Sequence, residues 1–156
     1  MEPHAPYSSF VVANEFIRLA QKGGGLTHMQ LQKLVYFAHV ESLVKNNQPL
    51  IRRLFRAWSF GPVDLEIYSE FRGSGKNKIK EEIRGVDCRI DESSKCLIKK
   101  VYEQYGNKTG WELSDISHDP EKYFGRPWFE VYQEGKTAVL IPNEKIKECY
   151  DKLGGR

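Results

Sequence analysis

The side chains that usually perform catalysis or hold metal ions do not stand at the spacings those functions require. None of the histidines forms a His-x-x-x-His or Glu-x-x-His pair, so a metal site would need ligands from separate elements. The triple glycine at residues 23–25 lacks the Lys-Ser/Thr of a phosphate-binding loop and is typical of a helix end. We therefore predict no metal site and no cofactor. The histidines are His4, His28, His39 and His118.

The cysteines and paired carboxylates also lack catalytic partners. Cys96 and Cys149 fall near the apolar faces of predicted helices, where a thiol packs as a small hydrophobic group. Cys88 is predicted to be exposed and alone, and Glu81-Glu82 lies in a charged stretch that water solvates. The sequence thus predicts a protein with no catalytic residue, which is not an enzyme. A hydrolase that uses His118 or Cys88 is an alternative.

Two clusters have the composition of binding surfaces. The first combines three arginines at residues 52–56 with Trp58 and Phe60, a mixture enriched at protein interfaces and at sites that stack bases. The alternative is an aromatic core with a solvated basic edge. The second is the basic run at residues 76–84, which is interrupted by Glu81 and Glu82. It fits either a solvated loop or a patch that follows phosphates.

Length and composition indicate one ordinary domain. The chain has 156 residues, of which 40% are hydrophobic and 29% charged, enough to bury a core without disulfides. Its longest apolar run, residues 10–13, is far shorter than the roughly 18 residues of a membrane span. Three cysteines, an odd number, fit reduced thiols, and a net charge of +3 is too small to indicate a nucleic-acid partner. We expect a cytoplasmic protein without a membrane segment.

Helical periodicity dominates the start of the chain. Residues 1–7 contain two prolines and no period, which predicts a flexible tail before a helix capped by Ser8 or Ser9. Thr27 and Gln30 have the spacing of a capping box. They open a long helix with apolar residues on most sides, which is the predicted central helix of the fold. His39 falls on this helix and is expected to be a hydrogen-bonded core residue.

The middle of the chain is less regular. Residues 50–60 fit neither the helical nor the strand period and predict an extended segment. Gly61-Pro62 predicts a turn with Pro62 at the first position of a third helix. The charged residues 76–89 predict the most mobile segment of the chain.

The second half again favours helices. Ser93 and Ser94 are predicted to cap a fourth helix, and short helices are predicted at residues 112–118 and from Pro127. Residues 137–141 predict a strand that pairs near Trp58, and a last helix follows. The predicted fold is mainly α: a compact single-domain bundle of about five to seven helices with one small two-stranded β pair. The domain is expected at residues 8–153, followed by a short tail at 154–156.

Two motifs resemble those of a known family. Residues 26–38, Leu-Thr-His-Met-Gln-Leu-Gln-Lys-Leu-Val-Tyr-Phe-Ala, resemble its L-T-x-x-K-L-Q-K-L-L-Y-Y-A helix, with Gln30 where Lys is usual. Residues 57–63, Ala-Trp-Ser-Phe-Gly-Pro-Val, and then Ile67-Tyr68 resemble its A-W-x-x-G-P-V…V-Y signature. The family is the Panacea antitoxin domain, which includes GepA-like phage-associated proteins and a SocA-like antitoxin. Weaker markers match at Leu113-Ser114, His118, Pro127-Trp128, Ile141, Ile146 and Tyr150.

The resemblance, which spans about residues 8–153, implies the antitoxin of a toxin–antitoxin system on a phage or mobile element. Its partner would be a co-encoded toxin protein that it binds directly. One branch of the family implies an adaptor that hands the toxin to a ClpXP-type protease. A regulator that binds nucleic acid through residues 52–56 and 76–84 is the alternative.

The polar motif residues also have a physical explanation. A polar group on a buried helix is costly unless it is paired, so each needs a partner, for which the Trp58 Nε1 and the Tyr68 hydroxyl are candidates. We predict a scaffold role for these residues, with direct toxin contact as the alternative: Gln32, Lys33, Tyr36, Gly61, Pro62, Tyr68 and His118. The predicted partner-binding residues are Arg52, Arg53, Arg56, Trp58, Tyr123 and Trp128.

Overall fold

The computed structural model describes residues 2–156, which form seven α-helices and three short strands. The helices are α1 (Ser9–Ala20), α2 (His28–Asn46), α3 (Leu65–Phe71), α4 (Glu92–Tyr105), α5 (Gly110–Ser117), α6 (Arg126–Val131) and α7 (Asn143–Lys152). The strands are β1 (Phe55–Trp58), β2 (Gly61–Val63) and β3 (Leu140–Ile141), and two 3-10 turns follow α1 and α3. The mainly α prediction is confirmed.

Helix α2 is the centre of the molecule, as its sequence predicts. All residues from 31 to 43 are buried, because helices α1, α4, α5 and α7 and the β2 strand surround it. The capping box is present: Thr27 Oγ1 accepts from the backbone N–H of Gln30, and the Gln30 side chain accepts from the N–H of Thr27. A helix that is covered on all sides positions its polar side chains inside the fold, where they need internal partners.

Side chains also cap the beginnings of α1, α4 and α5. Ser8 caps α1, as predicted, and Thr109 caps α5 in a second capping box. Helix α4 begins at Glu92 and is capped by Asp91, so the prediction that Ser93 or Ser94 caps it is wrong. The Asp91 carboxylate takes the cap position because its Oδ2 accepts from the N–H of Ser94, 3.0 Å away.

The strands form one antiparallel sheet in the order β2-β1-β3. The β1 and β2 strands make a hairpin in which Trp58 lies opposite Gly61. The predicted pairing of residues 137–141 with this region is confirmed, since Phe55 lies opposite Ile141. The sheet therefore has three strands, one more than the predicted pair.

The start of the third helix differs from the prediction. Pro62 lies in the β2 strand rather than at the first helical position, and α3 begins at Leu65 with Asp64 as its cap. The physical reason is that the backbone of residues 62–64 is held by side chains of α2, which extend the strand past the proline.

Both segments predicted as tails make hydrogen bonds with the rest of the fold. Tyr7 is buried, and its backbone pairs with Leu50 and Arg52 through hydrogen bonds of 2.7 and 2.9 Å. Its hydroxyl donates to Asp91 at 2.5 Å. Met1 of the predicted tail lies outside the described residues. At the other end, the carbonyl of Arg156 accepts from the N–H of Tyr123 at 2.6 Å.

The charged segment at residues 76–89 is irregular but anchored, in contrast to the predicted mobility. Ile79 is buried and pairs with Leu26 in a short bridge. Asn14 of α1 bonds both backbone groups of Ile83, its Oδ1 accepting at 2.7 Å and its Nδ2 donating at 3.0 Å. Arg18 of α1 also pairs with Glu82 at 2.5 Å. Contacts distant in sequence therefore hold this segment onto α1.

Cys96 is exposed on α4, so its predicted packing as a hydrophobic side chain is wrong, whereas Cys149 is buried as predicted. Cys96 is two residues from both Ser94 and Ile98, which are buried, and two residues turn a helix by about 200°. The thiol is therefore turned away from the buried face.

Within residues 2–156, no helix has the length and apolar character that a bilayer crossing needs.

Candidate binding surface at the hairpin tip

The tip of the β1–β2 hairpin, residues 58–62, is fixed by side chains from three helices. The backbone carbonyls of every second residue, Trp58, Phe60 and Pro62, each accept one hydrogen bond from a side chain. Trp128 Nε1 of α6 donates to the carbonyl of Trp58 at 2.7 Å, and Ser114 Oγ of α5 donates to that of Phe60 at 2.7 Å. Lys33 Nζ of α2 donates to the carbonyl of Pro62 at 2.8 Å. All three donor residues are buried, so the tip has a rigid support.

The Lys33 ammonium is the most costly of these donors to bury. The residue is 2% exposed, and burial lowers the pKa of its amine from 10.5 to about 7. Removing a charge from water is unfavourable unless hydrogen bonds compensate. The nearby ring of His28 is kept neutral. Burial, and then the charge of Lys33, lower the pKa of His28 to about 4.

Gln32 and Asp64 extend the same support. The Gln32 side chain accepts from the backbone N–H of Asp64 at 2.8 Å and donates to its carbonyl at 3.0 Å. The Asp64 carboxylate caps α3 at Ile67 and accepts from Ser9 Oγ at 2.8 Å. Desolvation raises the pKa of Asp64, although the hydrogen bonds from Ile67 and Ser9 oppose that change. Helices α1, α2 and α3 are thus linked behind the hairpin.

Tyr36 and His118 take part in the surrounding core. The Tyr36 hydroxyl donates to the carbonyl of Phe124 at 2.7 Å, and burial raises its pKa. The ring of His118 packs against Trp128 at 5.1 Å, and its Nδ1 atom is buried with no hydrogen-bond partner among the described residues. The scaffold role of both side chains stays a prediction.

The predicted partners of the polar motif residues are wrong. Trp58 Nε1 donates to the carbonyl of Thr137 at 2.9 Å, and the Tyr68 ring instead packs edge-to-face on Trp58 at 4.8 Å. Backbone carbonyls and the Asp64 backbone satisfy Lys33, Tyr36 and Gln32. A carbonyl acceptor has no residue signature, so the sequence offered no signal for it.

Gly61 is required by the tip. Its φ of +106° is a conformation that L side chains rarely adopt, and an added Cβ would lie 2.2 Å from Ser117 Oγ. The same Cβ would lie 3.3 Å from Lys33 Nζ. Gly61 thus allows the tip to approach both α5 and α2.

Phe60 and Trp111 form an exposed aromatic pair beside the tip. Their exposed fractions are 55% and 59%, and their rings meet edge-to-face with centroids 5.2 Å apart. Phe60 belongs to the predicted basic aromatic cluster, whereas Trp111 is not among the predicted binding residues. The sequence has no separate signal for Trp111, because its exposure depends on how α5 packs against the hairpin.

The predicted arginines are partly paired within the chain. Arg52 and Arg53 are exposed, and Arg53 forms an ion pair with Glu66. Arg56 donates to the carbonyl of Thr137 at 3.2 Å, the same acceptor that Trp58 uses. Arg56 and Trp58 therefore lie on the outer face of the sheet.

The two remaining predicted contact residues lie in different surroundings. Trp128 is only 8% exposed and supports the tip from beneath. Tyr123 donates to Glu41 and packs on Phe124 and Tyr150, so its contacts are with α2 and α7 rather than with the hairpin. The structure thus gathers Arg56, Trp58 and Trp128 at one site and leaves Tyr123 elsewhere.

The histidines occupy separate environments. His4 is exposed, and His28 packs against Tyr68 and Phe71. His39 is a hydrogen-bonded core residue, as predicted: its Nδ1 accepts from the N–H groups of Leu50 and Ile51 at 3.3 Å, and its Nε2 lies 3.0 Å from Asn143 Oδ1. In the part of the chain that the structure describes, no three His, Cys, Asp or Glu side chains are arranged to hold a metal ion.

These features define a small helical domain with a rigidly supported hairpin. The chain belongs to the family described as Antitoxin SocA-like, Panacea domain, whose model matches residues 31–123, so the family resemblance of the two motifs is confirmed. Over 125 residues, 74% of this chain, it is 31% identical to the protein named Antitoxin SocA of Caulobacter vibrioides (strain NA1000 / CB15N). The chain covers 64% of the length of that relative. No solved structure matches it.

Proposed function

We propose that this protein is an antitoxin that acts in the cytoplasm and neutralises a co-encoded toxin by binding it directly. The observation that carries the proposal is a rigidly supported hairpin tip that presents exposed side chains, in a chain of the Antitoxin SocA-like family. A surface whose backbone is fixed before binding loses little conformational entropy when a partner docks. A stable complex would bury about 1,200–2,000 Å² in total, with a few aromatic or arginine anchors.

The binding surface in this proposal consists of the hairpin tip with the exposed Arg52 and Arg53. These arginines precede β1 and lie on the same chain segment as the tip. The nucleic-acid alternative has less support, because the net charge of the chain is only +3 and Arg56 already donates to the carbonyl of Thr137. The basic residues at 76–84 also share their segment with Glu82, which pairs with Arg18.

Co-expression with the product of the neighbouring gene tests the proposal. That product alone should stop growth, and this protein should restore it. The purified proteins should form a complex that survives gel filtration. A neighbouring product that is harmless, or equally harmful in the presence of this protein, would remove the antitoxin assignment.

The arginines are tested by replacing both Arg52 and Arg53 with serine. The double variant should weaken toxin binding about tenfold, since rim charges contribute mainly through the association rate. Lys95 and Lys99 of α4 are also exposed, and their replacement by serine gives a matched control with the same change in charge. Equal loss in both variants would indicate a general charge effect and not a contact.

Stoichiometry distinguishes binding from catalysis. If the protein acts by binding, without catalytic residues, toxin activity should reach zero at equimolar antitoxin. Complete inactivation by a small fraction of an equivalent would show turnover instead. Toxin lifetime in cells separates occlusion from delivery to a ClpXP-type protease, because only delivery shortens the lifetime.

A further inference from the structure

Phe60, Trp111 and Asp115, which we call the aromatic corner, form a surface feature with its own chemistry. The rings of Phe60 and Trp111 stand at 87° to each other, and both are more than half exposed. Asp115 is exposed and follows Trp111 by four residues in α5, so the two side chains share one face of the helix. The corner therefore combines π faces with a carboxylate.

The support beneath the corner is rigid. Ser114 lies between Trp111 and Asp115 in α5 and is 1% exposed, and its hydroxyl bonds the carbonyl of Phe60 at 2.7 Å. One hydrogen bond thus joins the helix that carries Trp111 and Asp115 to the loop that carries Phe60. The backbone that carries the two rings and the carboxylate is consequently fixed without a partner.

Helix α5 has two exposed carboxylates at or near the corner. Glu112 is a second exposed carboxylate on α5, but it is engaged in the capping box: its Oε1 accepts from the N–H of Thr109 at 2.8 Å. This bond, and the nearby charge of Lys108, lower the pKa of Glu112. Asp115 makes no ion pair among residues 2–156 and is the carboxylate left to a partner.

We propose that the aromatic corner is a docking site for an arginine side chain of the toxin. This inference rests on the proposed antitoxin function and specifies the chemistry of the partner. A guanidinium binds aromatic faces through cation–π contact and forms a bidentate pair with a carboxylate, so an arginine uses both parts of the corner. The chain as a whole has a net charge of +3, and it would not attract a basic surface without such a local site.

Binding of the purified toxin to corner variants tests the proposal. Trp111→Ala and Phe60→Ala should each weaken the Kd about 30-fold, the effect of losing a hot-spot aromatic residue. Trp111→Phe, which keeps a π face, should recover most of the affinity. Asp115→Lys should weaken the Kd about tenfold and slow association, most strongly at low salt.

Double-mutant cycles identify the arginine. Each exposed arginine of the toxin is replaced with alanine in combination with Trp111→Ala, and one position should show a coupling of about tenfold. Phe129→Ala is the matched control, since Phe129 is 53% exposed on α6 and lies outside the corner. Asp151→Lys is the control for charge. Unchanged melting temperatures show that the corner variants remain folded.

Three results would overturn the inference. If the wild type neutralises the toxin and every corner variant binds equally well, the corner is not the site and the antitoxin function stands. If the wild type fails to bind the toxin, both proposals fall. If the free protein dimerises and Trp111→Ala abolishes the dimer, a second copy of this chain occupies the corner instead.

Discussion

The Nζ atom of Lys33 lies 2.8 Å from the backbone carbonyl oxygen of Pro62, and both residues are buried. The bond joins the central helix to the hairpin, 29 residues further along the chain. Its donor is an amine whose pKa burial lowers to about 7. The attachment of the hairpin is therefore coupled to a proton that the amine holds much less firmly than a lysine in water does.

Lys33 should make stability depend on pH in a specific window. Its pKa is about 7 in the folded chain and 10.5 in water, so the unfolded chain binds more protons between these values and stability rises with pH there. Relative to Lys33→Met, the wild type should gain about 3 kcal/mol from pH 7 to pH 10. Urea unfolding at several pH values measures this difference. The control Lys78→Met, at an exposed lysine, should show the same pH dependence of stability as the wild type. If Lys33→Met also showed that pH dependence, the Lys33 amine would not be buried in the folded protein.

Gly61→Ala should destabilise the fold by about 3 kcal/mol or more, since it combines backbone strain with a steric clash. The added Cβ would lie 2.2 Å from Ser117 Oγ at a φ of +106°. Thermal or urea unfolding measures the loss, and Ser117→Ala in the same chain should recover part of it by removing the clashing oxygen.

Gly24→Ala is the control for the backbone effect alone. Gly24 has a φ of +91°, and an added Cβ there has no neighbour within 4 Å among the described residues. This variant should lose only about 1 kcal/mol, the cost of the strained backbone. A loss as large as that of Gly61→Ala would show that the clash with Ser117 has no role.

The sequence predicted the parts of the fold that local contacts determine. The capping box of Thr27 and Gln30 and the helix cap at Ser8 are made within three residues, so their side chains are informative by themselves. The central position of α2 followed from its apolar residues on every face. The pairing of β3 with β1 was also predictable, because both segments are short extended runs.

The sequence could not predict the support of the hairpin tip. The acceptors are backbone carbonyls, which every residue has, and the donors Lys33, Ser114 and Trp128 lie between 29 and 70 residues from them. For the same reason Pro62 was assigned to a helix: its local signal favours a helix start, but the bond from Lys33 places it in a strand. The exposed pair of Phe60 and Trp111 required the tertiary approach of α5 to the hairpin.

His39 should make the protein less stable in mild acid. Burial lowers the pKa of its ring to about 4, with the bond to Asn143 opposing, so the unfolded chain binds more protons between about pH 6.5 and pH 4. Stability therefore falls as the pH drops through this window. Relative to His39→Gln, the wild type should lose about 2–3 kcal/mol between pH 6.5 and pH 4.

Unfolding of both proteins at matched pH gives the His39 difference directly, because His28 titrates in both and cancels. His4→Gln serves as the control, since His4 is exposed, and its curve should follow that of the wild type. A wild type and a His39→Gln variant with parallel pH curves would mean that the buried ring accepts a proton as easily as a free histidine.

Asn14 should control the mobility of the charged segment at residues 76–89. Its side chain satisfies the N–H and the carbonyl of Ile83, and the residue is 3% exposed. Asn14→Ala leaves both backbone groups unpaired and should cost about 1–3 kcal/mol. Hydrogen exchange should then speed up at Ile83 and its neighbours, and proteases should cleave the segment sooner. Gln21→Ala removes a more exposed bond to Lys80, so it should change exchange far less. Equal exchange in Asn14→Ala and the wild type would show that Ile79 and Arg18 hold the segment without Asn14.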